Sequence, residues 1–233
     1  MHSLFACLKA FFTWSVKKKL CENSPFEEFS YENEEYGTPY YLTLQELKQL
    51  YEHDFSQNKK KEEQRDIFVF QCNTGPRVKD MMSFTHDNIS GDILTYVPQK
   101  TKRYRADTIT VPLSSTAKEI LEKYKHLPDG RILPFISNQN YNDNLKTIFK
   151  EAGLNRMVPI LDSVTGKINY SPLYEEASSH LARRTFVGNL YKKIKDPNLI
   201  GSMSGHAPGS KSFLRYRNID EDMQREVIKE LEL

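Results

Sequence analysis

Apolar residues recur every three to four positions over most of this chain and every second position in a few short runs. Helices should therefore dominate, with strands confined to hairpins. Leu4, Leu8, Phe11, Phe12, Trp14 and Val16 form a broad stripe predicting a helix over residues 4–19, closed by Lys17, Lys18 and Lys19, whose charge suits a helix C-terminus. Residues 22–40 have no period and contain Pro25, Gly37 and Pro39, as a linker would. Thr43 and Glu46 have capping-box spacing and open a helix to about Asp54. A polar loop is expected over 56–63. The run R-D-I-F-V-F-Q-C-N then predicts a buried helix stopping at Gly75. Pro76 suits the first turn of the next helix, where its missing N–H is not needed, and this sets Arg77 at a helix start.

Residues 93–99 and 108–113 alternate apolar and polar side chains about the basic stretch K-T-K-R-Y-R-A-D, which predicts a hairpin with a charged turn. Thr116 and Glu119 repeat the capping-box spacing, before a helix to about Lys125. Leu145, Ile148, Phe149 and Ala152 give one face of a helix over 141–152 that Gly153 ends. A second hairpin is expected over 156–170. Ser178 or Ser179 caps a helix to Ile194 with Ala182, Phe186, Leu190 and Ile194 inward, while His180 and Arg183 share another face one turn apart. Asp196-Pro197 starts a short helix that Gly205 ends, and Gly209 precedes a short helix with Tyr216. Asp220 caps a terminal amphipathic helix bearing Met223, Val227, Ile228 and Leu231. No internal repeat is present.

Composition narrows the class. With 233 residues, 38% hydrophobic and 27% charged, the chain can bury a substantial core under a polar surface. Cys7, Cys21 and Cys72 are odd in number and lack metal-ligand spacing, so a reduced, cytoplasmic setting is expected. No apolar run approaches the roughly 18 residues of a membrane span, and Lys9 interrupts the N-terminal one. Charge is segregated. Between residues 180 and 217 lie Arg183, Arg184, Lys192, Lys193, Lys195, Lys211, Arg215 and Arg217 against the single acid Asp196, in a chain of net charge +2. Such an excess, combined with two histidines and a tyrosine, favours a polyanion partner.

The same stretch holds groups suited to attack on a phosphodiester. Arginines fork two N–H donors toward nonbridging phosphate oxygens, so Arg183 and Arg77 are candidates for the main electrostatic contribution. His180 and His206 titrate in the range needed for proton transfer or donate to phosphate. Tyr216 is a poor nucleophile unless positive charge and a proton acceptor lie near. Taken alone it is one of 13 tyrosines and reads as a packing residue, as Arg77 alone reads as a surface residue or a partner of Asp80. Lys100, Lys102, Arg103 and Arg105 on the hairpin turn can reach a DNA backbone, and one lysine can protonate a leaving oxygen. No P-loop, H-E-x-x-H or C-x-x-C is present, so neither ATP nor a metal cofactor is indicated.

T-G-P-R-V-K-D, Q-K-T-K on a hairpin, H-L-A-R-R-T-F, S-G-H and Tyr216 in this order resemble the catalytic domain of tyrosine recombinases, in particular integrases of bacterial conjugative transposons. The resemblance covers roughly residues 40–220. It implies a mainly α fold with a small antiparallel β-sheet (α+β), related to type IB topoisomerases. It also implies a site-specific recombinase that cuts and rejoins double-stranded DNA at an attachment site through a 3′-phosphotyrosyl link, without metal or ATP. Arg77 and Arg183 correspond to the phosphate clamp, Lys100 to the general acid with Lys102 as its rival, His180 to the tyrosine's proton partner, His206 to a phosphate donor and Tyr216 to the nucleophile. Lys102, Arg103, Arg105, Arg184, Lys211, Arg215 and Arg217 are expected DNA contacts.

The implied organisation is the last helix of a truncated core-binding domain at 1–20, an acidic linker at 21–40, and a catalytic domain at 41–233. In that domain, residues 220–233 would dock on a neighbouring protomer of a DNA-bound tetramer, in the bacterial nucleoid. Pro76 departs from the family's usual apolar residue. A non-catalytic DNA-binding remnant and a topoisomerase-like relaxing enzyme are the alternatives.

Overall fold

The computed structural model describes residues 2–29, 37, 39–100, 107–162, 165–194, 196–206 and 213. The chain divides into two compact units, 1–36 with 161–168 and 37–160 with 169–233. In the first, α1 (His2–Lys17) lays Phe5 and Phe12 against the segment that follows, with ring centroids of Phe5 and Phe29 5.7 Å apart and of Phe12 and Phe26 6.2 Å apart. Leu4, Leu8, Phe11 and Trp14, expected on the stripe, are exposed.

The second unit is built around α3 (Lys59–Thr74), packed against by α2 (Leu44–Glu52), α5 (Ser115–Lys123), α6 (Asn138–Glu151) and α7 (Ser179–Lys193). The α3 side chains from Gln64 to Cys72 are all buried, and such a helix, enclosed on every side, shows no one-sided apolar stripe. Phe68 meets Phe149 of α6 edge-on at 5.0 Å. The expected loop at 56–63 is largely helix, because the Asn58 side chain caps it by accepting from the Lys61 N–H and the helix-favouring Lys59–Glu63 run continues the turn. Similarly, α5 is capped by Ser114, whose Oγ accepts from Ala117 N. Thr116 lies inside the helix, and Glu119 instead takes the Tyr51 hydroxyl at 3.0 Å. The Thr43–Glu46 capping box forms as expected.

After α3 the chain makes α4 (Val78–Met81), a 3-10 turn and a three-stranded antiparallel sheet, β1 (Ile89–Ser90), β2 (Ile93–Tyr96) and β3 (Ile109–Pro112), in that spatial order. The predicted hairpin is β2–β3, with Tyr96 opposite Ile109. The two-residue β1 was too short for its alternation to show. A second hairpin pairs β4 (Met157–Leu161) with β5 (Ile168–Pro172), and α8 (Pro197–Ser204) follows α7. The fold is mainly α with small antiparallel sheets. Among the described residues no helix is long and apolar enough to cross a membrane.

Residues 40–42 are strapped along α7. Leu42 N donates to Thr185 Oγ1 at 3.1 Å, and Asn189 Nδ2 donates to Leu42 O at 2.9 Å. The Arg184 guanidinium lies 5.1 Å from the Tyr40 ring centre. A Cβ on Gly188 would come within 2.7 Å of the Tyr41 ring, so this glycine is set by close packing. Gly188→Ala is expected to cost about 1–3 kcal/mol by overpacking, read as a lowered urea midpoint. An unchanged midpoint would mean Tyr41 does not seat there.

Candidate active site

Gly75 ends α3 in the left-handed conformation (φ 74°), and its N–H bonds Gln71 O at 2.8 Å. A Cβ here would be 2.3 Å from the Phe186 ring of α7, so glycine is required for both backbone and packing. The next two carbonyls are held from opposite sides. Gly75 O accepts from Arg183 Nη1 at 2.7 Å, and Pro76 O accepts from Gln71 Nε2 at 2.9 Å. Pro76 is buried but precedes the helix. Arg77, half-buried and extended (φ −70°, ψ 145°), is the N-cap of α4. The expectation that Pro76 lies in the first helical turn is thus corrected: the left-handed Gly75 turns the chain, and the helix starts only at Val78.

Arg183 is 3% exposed, and its Nη2 lies 3.3 Å from Nδ1 of His206. A guanidinium only donates, so the Arg183 contact is a hydrogen bond in the tautomer that carries the ring proton on Nε2. Ser204 Oγ is 2.8 Å from the same nitrogen and 2.7 Å from Ile200 O. Burial, then the charges of Arg183 and Arg77 and the neighbouring His180, hold the His206 pKa down to about 3. The ring is therefore neutral at neutral pH. Its place is fixed by Gly205 (φ 66°), where a Cβ would come within 2.3 Å of Ile109 Cδ1 on β3.

On the sheet side, Tyr96 is buried within electrostatic reach of Arg183, Asp80 and Arg77, and desolvation pushes its phenol up to about 12, so it stays protonated. Asp80, one turn after Arg77, accepts from Gln99 N through Oδ1 at 3.0 Å, and Gln99 Nε2 reaches Ser83 Oγ at 3.3 Å. The residue following Gln99 is the exposed Lys100. The helix behind Arg77 therefore anchors the strand end that carries the lysine. His180 is exposed in the first turn of α7, beside Ser179, whose N–H donates to Asn142 Oδ1 at 2.8 Å.

Arg77, Arg183 and His180 thus all lie within electrostatic reach of His206, and the hairpin end that precedes Lys100 is tied to Asp80 through Gln99. Arg184, expected on DNA, is engaged with Tyr40, whose hydroxyl donates to Glu176 at 3.2 Å. Lys102, Arg103, Arg105, Lys211, Arg215, Tyr216 and Arg217 lie outside the described residues, as does the terminal helix. Phe213 is described and buried, its ring 5.4 Å from that of His206. Sequence reading missed Gln71 and Ser204, and took Asp80 only as an ion-pair partner. A glutamine inside an otherwise apolar helix and a serine two residues before His206 were the available signals. Among the described residues no three His, Cys, Asp or Glu side chains cluster as a metal site would.

The His206 environment predicts a stability effect. An unfolded imidazole binds a proton below about pH 6.5, whereas the folded one stays neutral down to about 3. Stability present above pH 6.5 is therefore lost progressively as pH falls below it. Melting temperature should drop between pH 7 and pH 5 in the wild type and by less in His206→Asn. Equal drops would place the titration elsewhere.

The sequence model of the Phage integrase family matches residues 40–223. Tyrosine recombinase XerC of Bacillus subtilis (strain 168) is 24% identical over 94% of this chain and 70% of its own length. Among solved structures, a lambda integrase(75-356) dimer bound to a COC′ core site superposes with TM-score 0.65 at 16% identity, over 93% of this chain and 72% of that one. The Tn1549 transposon integrase (aa 82-397), solved in complex with circular intermediate DNA, gives 0.60 at 14% identity, over 96% and 77%. With that family match spanning most of its length and a fold shared with those integrases, the chain belongs to the phage integrase family of tyrosine recombinases.

Proposed function

We propose that this recombinase cleaves and rejoins double-stranded DNA at specific sites through a covalent 3′-phosphotyrosyl intermediate. The observation that carries the reading is the buried Arg183, locked between Gly75 O and His206 with Arg77 one residue beyond the same turn. In this reading the Arg77 and Arg183 guanidinium groups and the neutral His206 ring meet a nonbridging phosphate oxygen, and preorganised donors of that kind act most strongly on charge that builds up in the transition state.

In the reaction, the Tyr216 oxygen attacks the scissile phosphorus and its proton passes to His180. The P–O5′ bond breaks, and the leaving 5′ oxygen takes a proton from Lys100 or Lys102. The phosphodiester is exchanged for a phosphotyrosyl ester, so a second 5′-hydroxyl can reverse the step without ATP or metal. His206 serves as a donor to the phosphate, consistent with its depressed pKa.

DNA is the proposed partner, with lambda integrase, solved as a tetramer on a Holliday junction, as the analogue for assembly. In this reading Lys102, Arg103, Arg105, Lys211, Arg215 and Arg217 meet the DNA backbone, and residues 220–233 dock on a neighbouring protomer. We read α1 as the last helix of a core-binding domain. Its exposed Leu4, Leu8, Phe11 and Trp14 make the kind of face that such a helix buries against others.

The test is adduct formation on nicked 40-base-pair duplexes tiled across the DNA flanking the coding sequence. Wild type should yield a protein–DNA adduct stable to denaturant, Tyr216→Phe none, and Arg77→Ala one formed on the order of 10²-fold to 10³-fold more slowly. An adduct from Tyr216→Phe would overturn the nucleophile assignment. Binding to the same duplexes should also weaken steeply as salt rises, because several phosphate contacts release counterions together.

A further inference from the structure

Three contacts fix the turn that presents Arg77. Phe186 packs against Gly75, Arg183 donates to Gly75 O, and Gln71 donates to Pro76 O at 2.9 Å. The first is core packing and the second comes from a proposed phosphate ligand. Gln71 is different: it lies inside α3, is 1% exposed, and spends its amide N–H₂ on one carbonyl while its Oε1 is buried with no hydrogen-bond partner among the described residues. An apolar side chain of the same length would fill the space without burying an unmet acceptor, so packing alone does not account for an amide here.

We propose that Gln71 is a positioning residue for Arg77. The carbonyl it holds belongs to the peptide that joins Pro76 to Arg77, so the bond fixes the plane from which the Arg77 backbone departs. Pro76 contributes a fixed φ but no N–H, and cannot itself anchor that plane through a donor. With Gly75 O already taken by Arg183, the Gln71 amide sets the second carbonyl of the turn. The distance between the two guanidinium groups that would clamp a phosphate then depends on two neighbouring carbonyls, one held from α7 and one from α3. Displacement of a reacting or binding group by about 1 Å can cost on the order of 10²-fold in rate, so loss of this bond should act on the chemical step and not on DNA affinity.

This inference rests on the reading of Arg77 as a phosphate ligand, and the experiment separates the two. Gln71→Met and Gln71→Leu in the full chain are compared with wild type on the flanking-DNA duplex that gives adduct, at saturating protein, with thermal melts and DNA-binding curves alongside. The expected result is adduct formation about 10-fold or more slower, with melting temperature and DNA affinity unchanged or raised. In an Arg77→Lys background the further loss from Gln71→Met should largely vanish, because the two residues act through one another. Equal rates for wild type and both variants would overturn the proposal. So would failure of both variants to fold, which would make Gln71 a packing element of α3, or full additivity with Arg77→Lys. Absence of any wild-type adduct would instead overturn the proposed function, and the positioning role with it.

Discussion

The larger of the two units depends on one buried cation. Arg183 has almost no exposure, and a charge taken out of water is tolerated only where it is fully engaged. Its two terminal nitrogens reach a backbone carbonyl at the end of α3 and the imidazole that follows α8, so three helices that are distant in sequence meet on one side chain. Two of its partners, the Gly75 carbonyl and the neutral His206 ring, are dipoles that hold the guanidinium in place without carrying a negative charge.

The same economy shows in what surrounds it. His206 is kept neutral by burial and by that charge, and its Nδ1 is turned toward Arg183 and Ser204. Tyr96 is held protonated behind the arginines, and Asp80 uses one oxygen on a backbone N–H of the hairpin instead of neutralising the centre. Asp80 thereby serves the geometry of the hairpin, and Arg77 and Arg183 both act electrostatically on His206 and Tyr96. This arrangement suits a site that must stabilise extra negative charge only transiently.

Much of this was legible in the sequence because it was local. The Thr43 capping box, the Asp196-Pro197 start of α8 and the Gly75 and Gly205 stops each depend on residues within a few positions of one another, and all four form. Readings failed where a competing local signal or a distant contact decided. Asn58 capped a helix inside the expected loop and Ser114 outcompeted the cap expected at Thr116, since a side chain that reaches the first free N–H fixes the helix start. The inward turn of Arg183 could not be seen from its spacing with His180, because its burial is created by Gly75, more than a hundred residues upstream. Gln71 and Ser204 were invisible for the same reason: their roles lie in what they touch, and their residue types carry no signature of it. The family motif order supplied the list of site residues, whereas the supporting contacts had to come from the fold.

The strap at residues 40–42 bears on where this domain begins. Thr43 is the first cap of the first helix in the unit, and the sequence reading sets the domain start only two residues earlier, at 41. Yet Tyr40, Tyr41 and Leu42 cover the flank of the helix that carries His180 and Arg183, and Leu42 trades both of its backbone groups with α7 side chains. In engineering terms the cut site for a chimaera or a minimal fragment lies upstream of Tyr40. Severing the chain at the first helical residue would strip the helix that carries Arg183 of one wall while leaving every conventional element intact.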